Sequence, residues 1–445
     1  MSYYLKSKID HIRSSDLFLF ISMSLFVLLT RLPFINSDYG TDPDSFRVVS
    51  AAKYIANTGE YIYARAPGNP TYEYIISFVA NSSPWVANLL SAIASSIAVI
   101  FFALILRHVK VKNYFILSIL FAMVPVIYIN SITTMDYMIA LSLALGSVFF
   151  IFIRQPVLAG ILIGLAVGCR LTYAAMVLPL ALWILFDKHN IYYIKHIFYF
   201  VLTSIIVSIL VFLPVFLSYG FGFFTFVDYR GSLSLYTLVR VGIINVWGIL
   251  YLASFIVLFT LMLWQKKHLA IHSRKVLLFS IGIIFLFTII FLRLPNESAF
   301  MIPVVPFVIM SLALVIPSKY MKFFSIIVIG LVFIQLISGA SSVQRYNDSR
   351  ELNYLNTKKV IDTVSKLEGK VVIVAALKRP RIVLFEASQS NDRVKYVYLI
   401  NNKQEFNDYV NKGYSVYYLK EAYEYNEKVY NVNLKELGAK ELDID

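Results

Sequence analysis

Along the first 340 positions, apolar residues run in long blocks that end at short clusters of charged, polar, proline or glycine residues. The blocks predict membrane spans at Leu17–Ile35, Pro84–Leu106, Tyr114–Ile129, Tyr137–Ile153, Val157–Val167, Leu171–Phe186, Ile197–Leu217, Val241–Trp264, Val276–Leu292, Phe300–Ile316 and Phe323–Ile337. That makes about eleven transmembrane helices, several of them short. Lys6, Lys8 and Arg13 precede the first block, which is too long for a signal-peptide core and lacks a small-residue cleavage site, so it is expected to stay as an anchor. After Ala340 the pattern changes. A helical period from Glu351 to Leu367, carried by Leu352, Leu355, Ile361, Val364 and Leu367, leads into a buried-strand run at Lys370–Ala376. Strand-like runs follow at Val394–Ile400 and Ser415–Leu419, with a helix from Lys403 to Lys412 between them. The fold expected is an all-α polytopic membrane protein over 1–340, followed by a small α/β domain over 341–445.

Composition agrees, because a chain with 59% hydrophobic, 16% aromatic and only 15% charged residues lacks the polar surface to enclose a water-soluble core. Basic residues set the orientation. With the N-terminus cytoplasmic, the inner segments carry fifteen cations against eight outside. That balance requires Val157 to Phe186 to be two short helices broken at Gly168-Cys169-Arg170. A single helix would put the inner cations from Lys188 to Lys322 on the wrong face. The same topology places the C-terminal domain outside the cytoplasm. Net charge is +14, yet the tail after Ala340 contributes only +2, from seventeen Lys and Arg against fifteen Asp and Glu. The charge is topological, and nothing resembles a nucleic-acid-binding stripe. Cys169 is the single cysteine, which rules out an intrachain disulfide framework and a cysteine-rich metal site. Abundant Ile, Phe, Lys, Asn and Tyr fit an AT-rich microbial genome and a prokaryotic plasma membrane.

The acids change the picture from span-counting to chemistry. Eight of the eleven carboxylates in the first 340 residues fall on the outer side: Asp38, Asp42, Asp44, Glu60, Glu73, Asp136, Asp228 and Glu297. Arg47, Arg65, Arg170, Arg230 and Arg293 lie there too. The first outer loop, 36–83, is too long for a connector. In Thr41-Asp42-Pro43-Asp44-Ser45, proline after an acid signals a helix start, with Asp42 as N-cap, Pro43 in the first position and Asp44 in the positively polarised first turn. Capping alone accounts for both acids, as readily as catalysis does for Asp42 and less readily for Asp44. The helix that follows is amphipathic enough to lie in the membrane interface. A second start, Asn69-Pro70, follows the turn Arg65-Ala66-Pro67-Gly68 and leads to Tyr72. Two interfacial helices joined by a rigid turn would frame a cavity between membrane and water.

The run from Asp44 through Gly59-Glu60-Tyr61 resembles the first external loop of GT-C superfamily glycosyltransferases, such as the lipid A aminoarabinose transferases and protein O-mannosyltransferases. In those enzymes an Asp, usually followed by Glu, opens an interfacial helix that closes at a glycine; Asp44 and Gly59 keep that spacing, whereas Ser45 stands where the Glu would be and leaves Asp42 as a substitute second acid. Thr134-Met135-Asp136-Tyr137 is similar to the superfamily's second acidic position. The segment from Arg293 through Glu297 and Phe300 to Pro306 is similar to its late arginine or acid followed by an aromatic and a Pro-containing span. The match covers roughly residues 17 to 316.

The resemblance implies an inverting transferase that takes a sugar from a polyprenyl-phosphate donor to a hydroxyl on a lipid, glycan or protein acceptor at the extracytoplasmic face. Such a reaction needs a general base and cations for the departing phosphate. Asp44 is the candidate base, with Asp42 and Asp136 as further catalytic acids. Arg65, Arg170 and Arg293 are the candidate phosphate ligands, since guanidinium groups match phosphate oxygens and stay charged; Glu297 and Tyr72 are candidates for substrate contact. Structural alternatives stand beside each: Arg65 pairing with Glu60 or Glu73, Arg170 capping a helix end, Arg293 snorkelling to the headgroups, Asp136 starting a helix near Thr133 or Thr134, Glu297 merely opening its span. Asp228 and Arg230 can pair with each other. All six histidines fall in inner segments or tails, which disfavours a histidine base. Asp42-Pro43-Asp44 is an Asp-x-Asp of the kind that holds a divalent cation in some related enzymes, but two acids are a poor cage, so neither metal nor cofactor is expected. Two other classes are weaker: a lipid-linked glycan polymerase or ligase would carry its large outer loop late in the chain, and a transporter would show inverted repeats with midplane charges.

Overall fold

The computed structural model describes residues 14–186, 192–224, 234–264, 274–293, 295–386 and 393–444. Asp228, Arg230, the cations Lys6, Lys8, Arg13, Lys188, Lys266 and Lys267, and the histidines His11, His189, His268 and His272 lie outside these residues.

Helices in chain order are α1 Ser14–Arg31, α2 Pro43–Thr58, α3 Pro70–Ser77, α4 Pro84–His108, α5 Tyr114–Ala122, α6 Pro125–Asn130, α7 Tyr137–Phe152, α8 Pro156–Cys169, α9 Val177–Leu185, α10 Tyr193–Tyr219, α11 Leu235–Val239, α12 Asn245–Trp264, α13 Arg274–Arg293, α14 Val304–Val315 and α15 Ser318–Ile337. Among the described residues six helices are long and apolar enough to cross a membrane, and four apolar helices are shorter, at Tyr137–Phe152, Pro156–Cys169, Leu171–Leu185 and Val304–Val315. The chain is a multi-pass membrane protein. A block expected as one span, Tyr114–Ile129, is split between α5 and α6, because Pro125 cannot donate to the helix ladder and starts a new helix. The expected break at Gly168-Cys169-Arg170 is present. Arg170 adopts an extended backbone (φ −150°, ψ 114°) between α8 and a 3₁₀ turn, Leu171–Met176.

One large apolar core joins α1 and α4 to α10 with α12 to α15, and places Phe102, Phe121, Ile163 and Met310 among its buried side chains. Serine and small residues let helices approach closely within it. The Ser147 hydroxyl, for example, donates to the Ala159 carbonyl across the α7–α8 pair at 2.9 Å.

Helix α16, Ser342–Ser365, begins nine residues earlier than the apolar period predicts, because Ser341 accepts from the Gln344 amide and caps it. Then follow β1 Lys370–Val374, α17 Arg379–Glu386, β2 Val394–Val397, α18 Lys403–Asn411, β3 Tyr414–Tyr418, α19 Lys420–Tyr430 and β4 Lys440–Glu441. The sheet is parallel with strand order β2-β1-β3-β4, and β1 aligns Val371 with Val394 on one side and Lys370 with Tyr414 on the other. Val371 to Val374 are all fully buried, as expected for a central parallel strand covered on both faces. This unit has its own core, separate from that of the helical bundle.

Candidate functional site

The first loop folds onto the bundle as two short helices. Asp42 is the N-cap of α2, and its carboxylate accepts the Asp44 amide at 2.8 Å, as capping predicts. Gly59 ends the helix in the left-handed conformation (φ 74°). The buried face of α2, including Phe46, Val48, Val49 and Ala52, is covered by protein, packing on α3 and α17. Amphipathicity there serves docking rather than immersion in lipid. Glu73 fixes the turn between α2 and α3. Fully buried, it accepts the Tyr61 hydroxyl at 2.5 Å, the Ala64 amide at 2.8 Å and the Asn69 amide at 3.2 Å. Burial pushes its carboxyl up to about 7 against those donors. Gly68 (φ 96°) completes the bend; a Cβ there would meet the Tyr61 hydroxyl at 2.8 Å.

This frame aims Arg65 at the acids. Neither Glu60, which accepts the Tyr54 hydroxyl at 2.9 Å, nor Glu73 pairs with Arg65. Its Nη1 bonds Asp44 Oδ2, and its Nη2 lies 3.6 Å from Asp136 Oδ2. The second oxygen of Asp44 accepts Arg47 Nη1 at 2.7 Å. Asp136 stands at the N-terminus of α7 without capping it, and both of its oxygens accept Arg170 Nη1, at 2.9 and 3.1 Å. Arg170 in turn lies over the Tyr137 ring at 4.0 Å and the Phe300 ring at 5.0 Å, and the Tyr137 hydroxyl donates to Glu297. The result is a continuous alternation of charge, Arg47–Asp44–Arg65–Asp136–Arg170, with Glu297 one aromatic ring away.

Burial by itself would raise the Asp44 carboxyl, but Arg65 and then Arg47 outweigh it and hold the group below the usual carboxylate range. Asp42 shifts the other way, pushed up to about 6 by burial and then by the nearby Glu297 charge. Two acids two residues apart are thus held in opposite protonation tendencies, the pattern that separates acid–base roles. Burial disfavours the charge on Arg65, yet Asp136 and Asp44 more than compensate and keep it protonated.

The structure therefore gathers Asp42, Asp44, Arg65, Asp136, Arg170 and Glu297. Arg293 lies exposed at the end of α13. Tyr72 is fully buried under α3, close enough to Asp136 to feel its charge. Ser45 is also buried, with its hydroxyl among the side-chain atoms that find no hydrogen-bond partner. Among the described residues, no three His, Cys, Asp or Glu side chains gather so as to hold a metal ion. A cavity of 820 Å³ opens between α6, α12 and α15, lined by Tyr128, Trp247, Gly248, Gln335 and Tyr346, with Ser298 also in its wall. Sequence reasoning missed Arg47, Tyr137 and Phe300 as parts of the cluster. The i, i+3 spacing of Asp44 and Arg47 was the available signal for the first.

With this geometry in view, the solved structures are informative. The chain is similar to ArnT of Cupriavidus metallidurans in the apo state, with 13% identity, a TM-score of 0.58, and 93% of this chain and 94% of that chain covered. The same protein bound to undecaprenyl phosphate gives 12% identity and a TM-score of 0.54 over 89% and 88% of the two chains. The fold is GT-C. An oligosaccharyltransferase of Archaeoglobus fulgidus, in complex with Zn and sulfate, is similar at 13% identity and a TM-score of 0.50, covering 85% of this chain and 62% of that one. No family model and no curated protein matches the chain by sequence. The likeness to ArnT covers helical bundle and C-terminal unit alike, beyond the stretch from 17 to 316 that the motifs cover.

Proposed function

We propose that the chain is an inverting glycosyltransferase that moves a sugar from a polyprenyl-phosphate donor to an acceptor hydroxyl at the extracytoplasmic membrane surface, without metal or cofactor. The observation that carries this reading is the shared arginine: Arg65 bridges Asp44 and Asp136 on a fold whose solved example holds undecaprenyl phosphate. A lipid-borne phosphodiester brings two non-bridging oxygens, sharing one negative charge, to a place where Arg65 and Arg170 make their ion pairs with shared carboxylates. Asp136 meets Arg170 through Nη1 alone in the described hydrogen bonds, and Arg65 reaches Asp136 only at 3.6 Å. Guanidinium edges so placed exchange a carboxylate for a phosphate without being desolvated afresh. When Arg65 turns to the phosphate, Asp44 loses the partner that lowered its proton affinity and becomes the better base. It then takes the proton from the acceptor hydroxyl as that oxygen attacks the anomeric carbon. The bond from that carbon to the phosphate oxygen breaks, and the phosphate leaves with the electron pair, held by Arg65 and Arg170. The cavity is lined by apolar residues of α12 together with Asn245, Gln335 and Tyr346, which suits a substrate with a hydrocarbon part and a sugar part.

One observation favours Asp42 as the base instead: a carboxyl pushed up to about 6 is better matched to proton transfer near neutral pH. The test is transfer from a radiolabelled undecaprenyl-phosphate sugar to lipid, glycan and peptide hydroxyl acceptors in proteoliposomes. Asp44→Asn is expected to reduce transfer by about a thousandfold, within the range for a lost general base. Undiminished transfer in that variant, with loss in Asp42→Asn, gives the role to Asp42.

A further inference from the structure

The segment that presents Asp42 and Asp44 is held from the C-terminal unit. On α17, Arg381 is nearly buried at 8% exposure; its Nη2 donates to the Gly40 carbonyl at 2.6 Å, its Nε lies 3.1 Å from Asp38 Oδ2, and its guanidinium sits 4.3 Å over the Phe46 ring. One side chain thus touches the chain on both sides of the two acids, before them at Asp38 and Gly40 and after them at Phe46. Phe385, four residues further along α17, packs on the same Phe46 ring, with centroids 6.4 Å apart. From α16, the Tyr346 hydroxyl accepts the Thr41 amide at 3.3 Å and bonds Thr133 Oγ1 at 3.0 Å, and Asn347 accepts the Ser37 hydroxyl at 2.7 Å. Arg350, fully buried, donates to the carbonyls of Ile132, at 2.6 Å, and Phe34, so it ties the start of the acid loop to the turn before Asp136. The bundle contributes its own clasp through Asn88, whose amide donates to the Ile35 and Asp38 carbonyls at 2.9 and 3.1 Å.

We infer that Arg381 is a positioning residue for the acid loop, so that the C-terminal unit completes the reaction site instead of only decorating the bundle. The geometry explains the choice of arginine. A planar fork can span a carboxylate and a carbonyl while its face rests on an aromatic ring; an ammonium group supplies the charge without the fork or the stacking. On its other side Gly40 packs against the start of α2 and the turn before Asp136, where a Cβ would meet Ser45 Oγ at 2.5 Å and Thr133 Cγ2 at 2.8 Å. A loop released from these anchors can still bind donor, but it holds Asp42 and Asp44 loosely, and misplacement of about 1 Å costs on the order of a hundredfold in rate.

The inference rests on the glycosyltransferase reading for its kinetic arm only. In the full-length chain in nanodiscs, Arg381→Ala is expected to raise hydrogen exchange at the Thr41 and Ser45 amides by tenfold or more, on the order expected for a lost buried ion pair, while α7 and α8 keep their protection. In the transfer assay the same variant is expected to lose about a hundredfold in kcat with the KM for the donor within about twofold, and Arg381→Lys to recover part of the loss. Asp38→Asn combined with Arg381→Ala is expected to cost little more than either alone. Unchanged exchange over residues 36–50 in Arg381→Ala overturns the inference, as does an equal rise across α7 and α8. Local loss of protection in a protein whose wild type transfers no sugar supports the anchoring and rejects the glycosyltransferase reading alone.

Discussion

Two groups of buried and half-buried arginines in this molecule are satisfied in different ways. Arg31, at the end of α1, is fully buried, and its guanidinium is spent on neutral groups: Nε to Ser131 Oγ at 3.1 Å, Nη1 to Thr30 Oγ1 at 2.7 Å, Nη2 to the Ala122 carbonyl, and its face over the Tyr128 ring at 4.0 Å. Arg350 is likewise bound to carbonyls. Arg65 and Arg170 instead face carboxylates, and they share them. A guanidinium enclosed by carbonyls has nothing to trade, because moving it strands backbone acceptors in a low-dielectric interior. One that shares an anion with a neighbour can accept a second anion with little loss. The first group builds the frame, and the second is the part able to exchange partners with a substrate.

Lysine substitution turns that contrast into its largest test. Arg65→Lys keeps one charge but cannot bridge Asp44 and Asp136, so transfer is expected to fall by about a hundredfold, with a higher KM for the polyprenyl-phosphate donor and an unchanged thermal midpoint. Arg31→Lys is expected to do the reverse: the midpoint drops by several degrees, as for the loss of a few buried hydrogen bonds at about 1 kcal/mol each, while the folded fraction keeps its kcat. Equal thermal losses in the two variants would erase the distinction.

The sequence showed the second group better than the first. Asp42, Asp44, Arg65, Asp136, Arg170 and Glu297 all stand at outer breaks between apolar blocks, and the gathering of acids and arginines on that one side makes each visible as a candidate. The frame was not legible. Arg350 and Arg381 are two of seventeen cations in a polar tail, and nothing local distinguishes a buried one from a solvated one. The helix period of 351–367 is visible, but the Ser341 cap that extends the helix back over Tyr346 and Asn347, the residues that grip the first loop, lies outside that apolar period. Similarly, α17 and α19 carry mixed faces whose apolar residues pack across the sheet or onto α2, and their period becomes interpretable only once those partners are known. The Tyr114–Ile129 block shows the opposite error, since hydropathy averages over Pro125 and cannot see the break that backbone chemistry imposes.

Acidification sharpens the comparison within the exchanging group. In the free enzyme Asp44 sits below the usual carboxylate range and Asp42 near 6. With Asp44 as base, kcat/KM should therefore persist as pH falls through 6 and fail only lower down. When donor phosphate takes Arg65, the Asp44 carboxyl loses its main cation and its proton affinity rises, so the acid limb of kcat should lie at higher pH than that of kcat/KM. An acid limb in kcat/KM centred near 6 that disappears in Asp42→Asn reverses the two roles.

The smallest expected effect belongs to Arg293. By sequence it ranked with Arg65 and Arg170 as a phosphate ligand, because it ends a span just before Glu297. In the fold it is exposed at the tip of α13, whereas the ion pairs with Asp44 and Asp136 run through Arg65 and Arg170. An exposed charge contributes little to a bound anion unless the anion excludes water around it. Arg293→Ala should thus change kcat and the thermal midpoint negligibly and raise the donor KM by about twofold, an effect that added salt removes. A loss in kcat comparable to that of Arg65→Lys and insensitive to salt would instead mean that α13 closes over the donor and carries Arg293 into the charge chain, making the exchanging group larger than the unliganded arrangement displays.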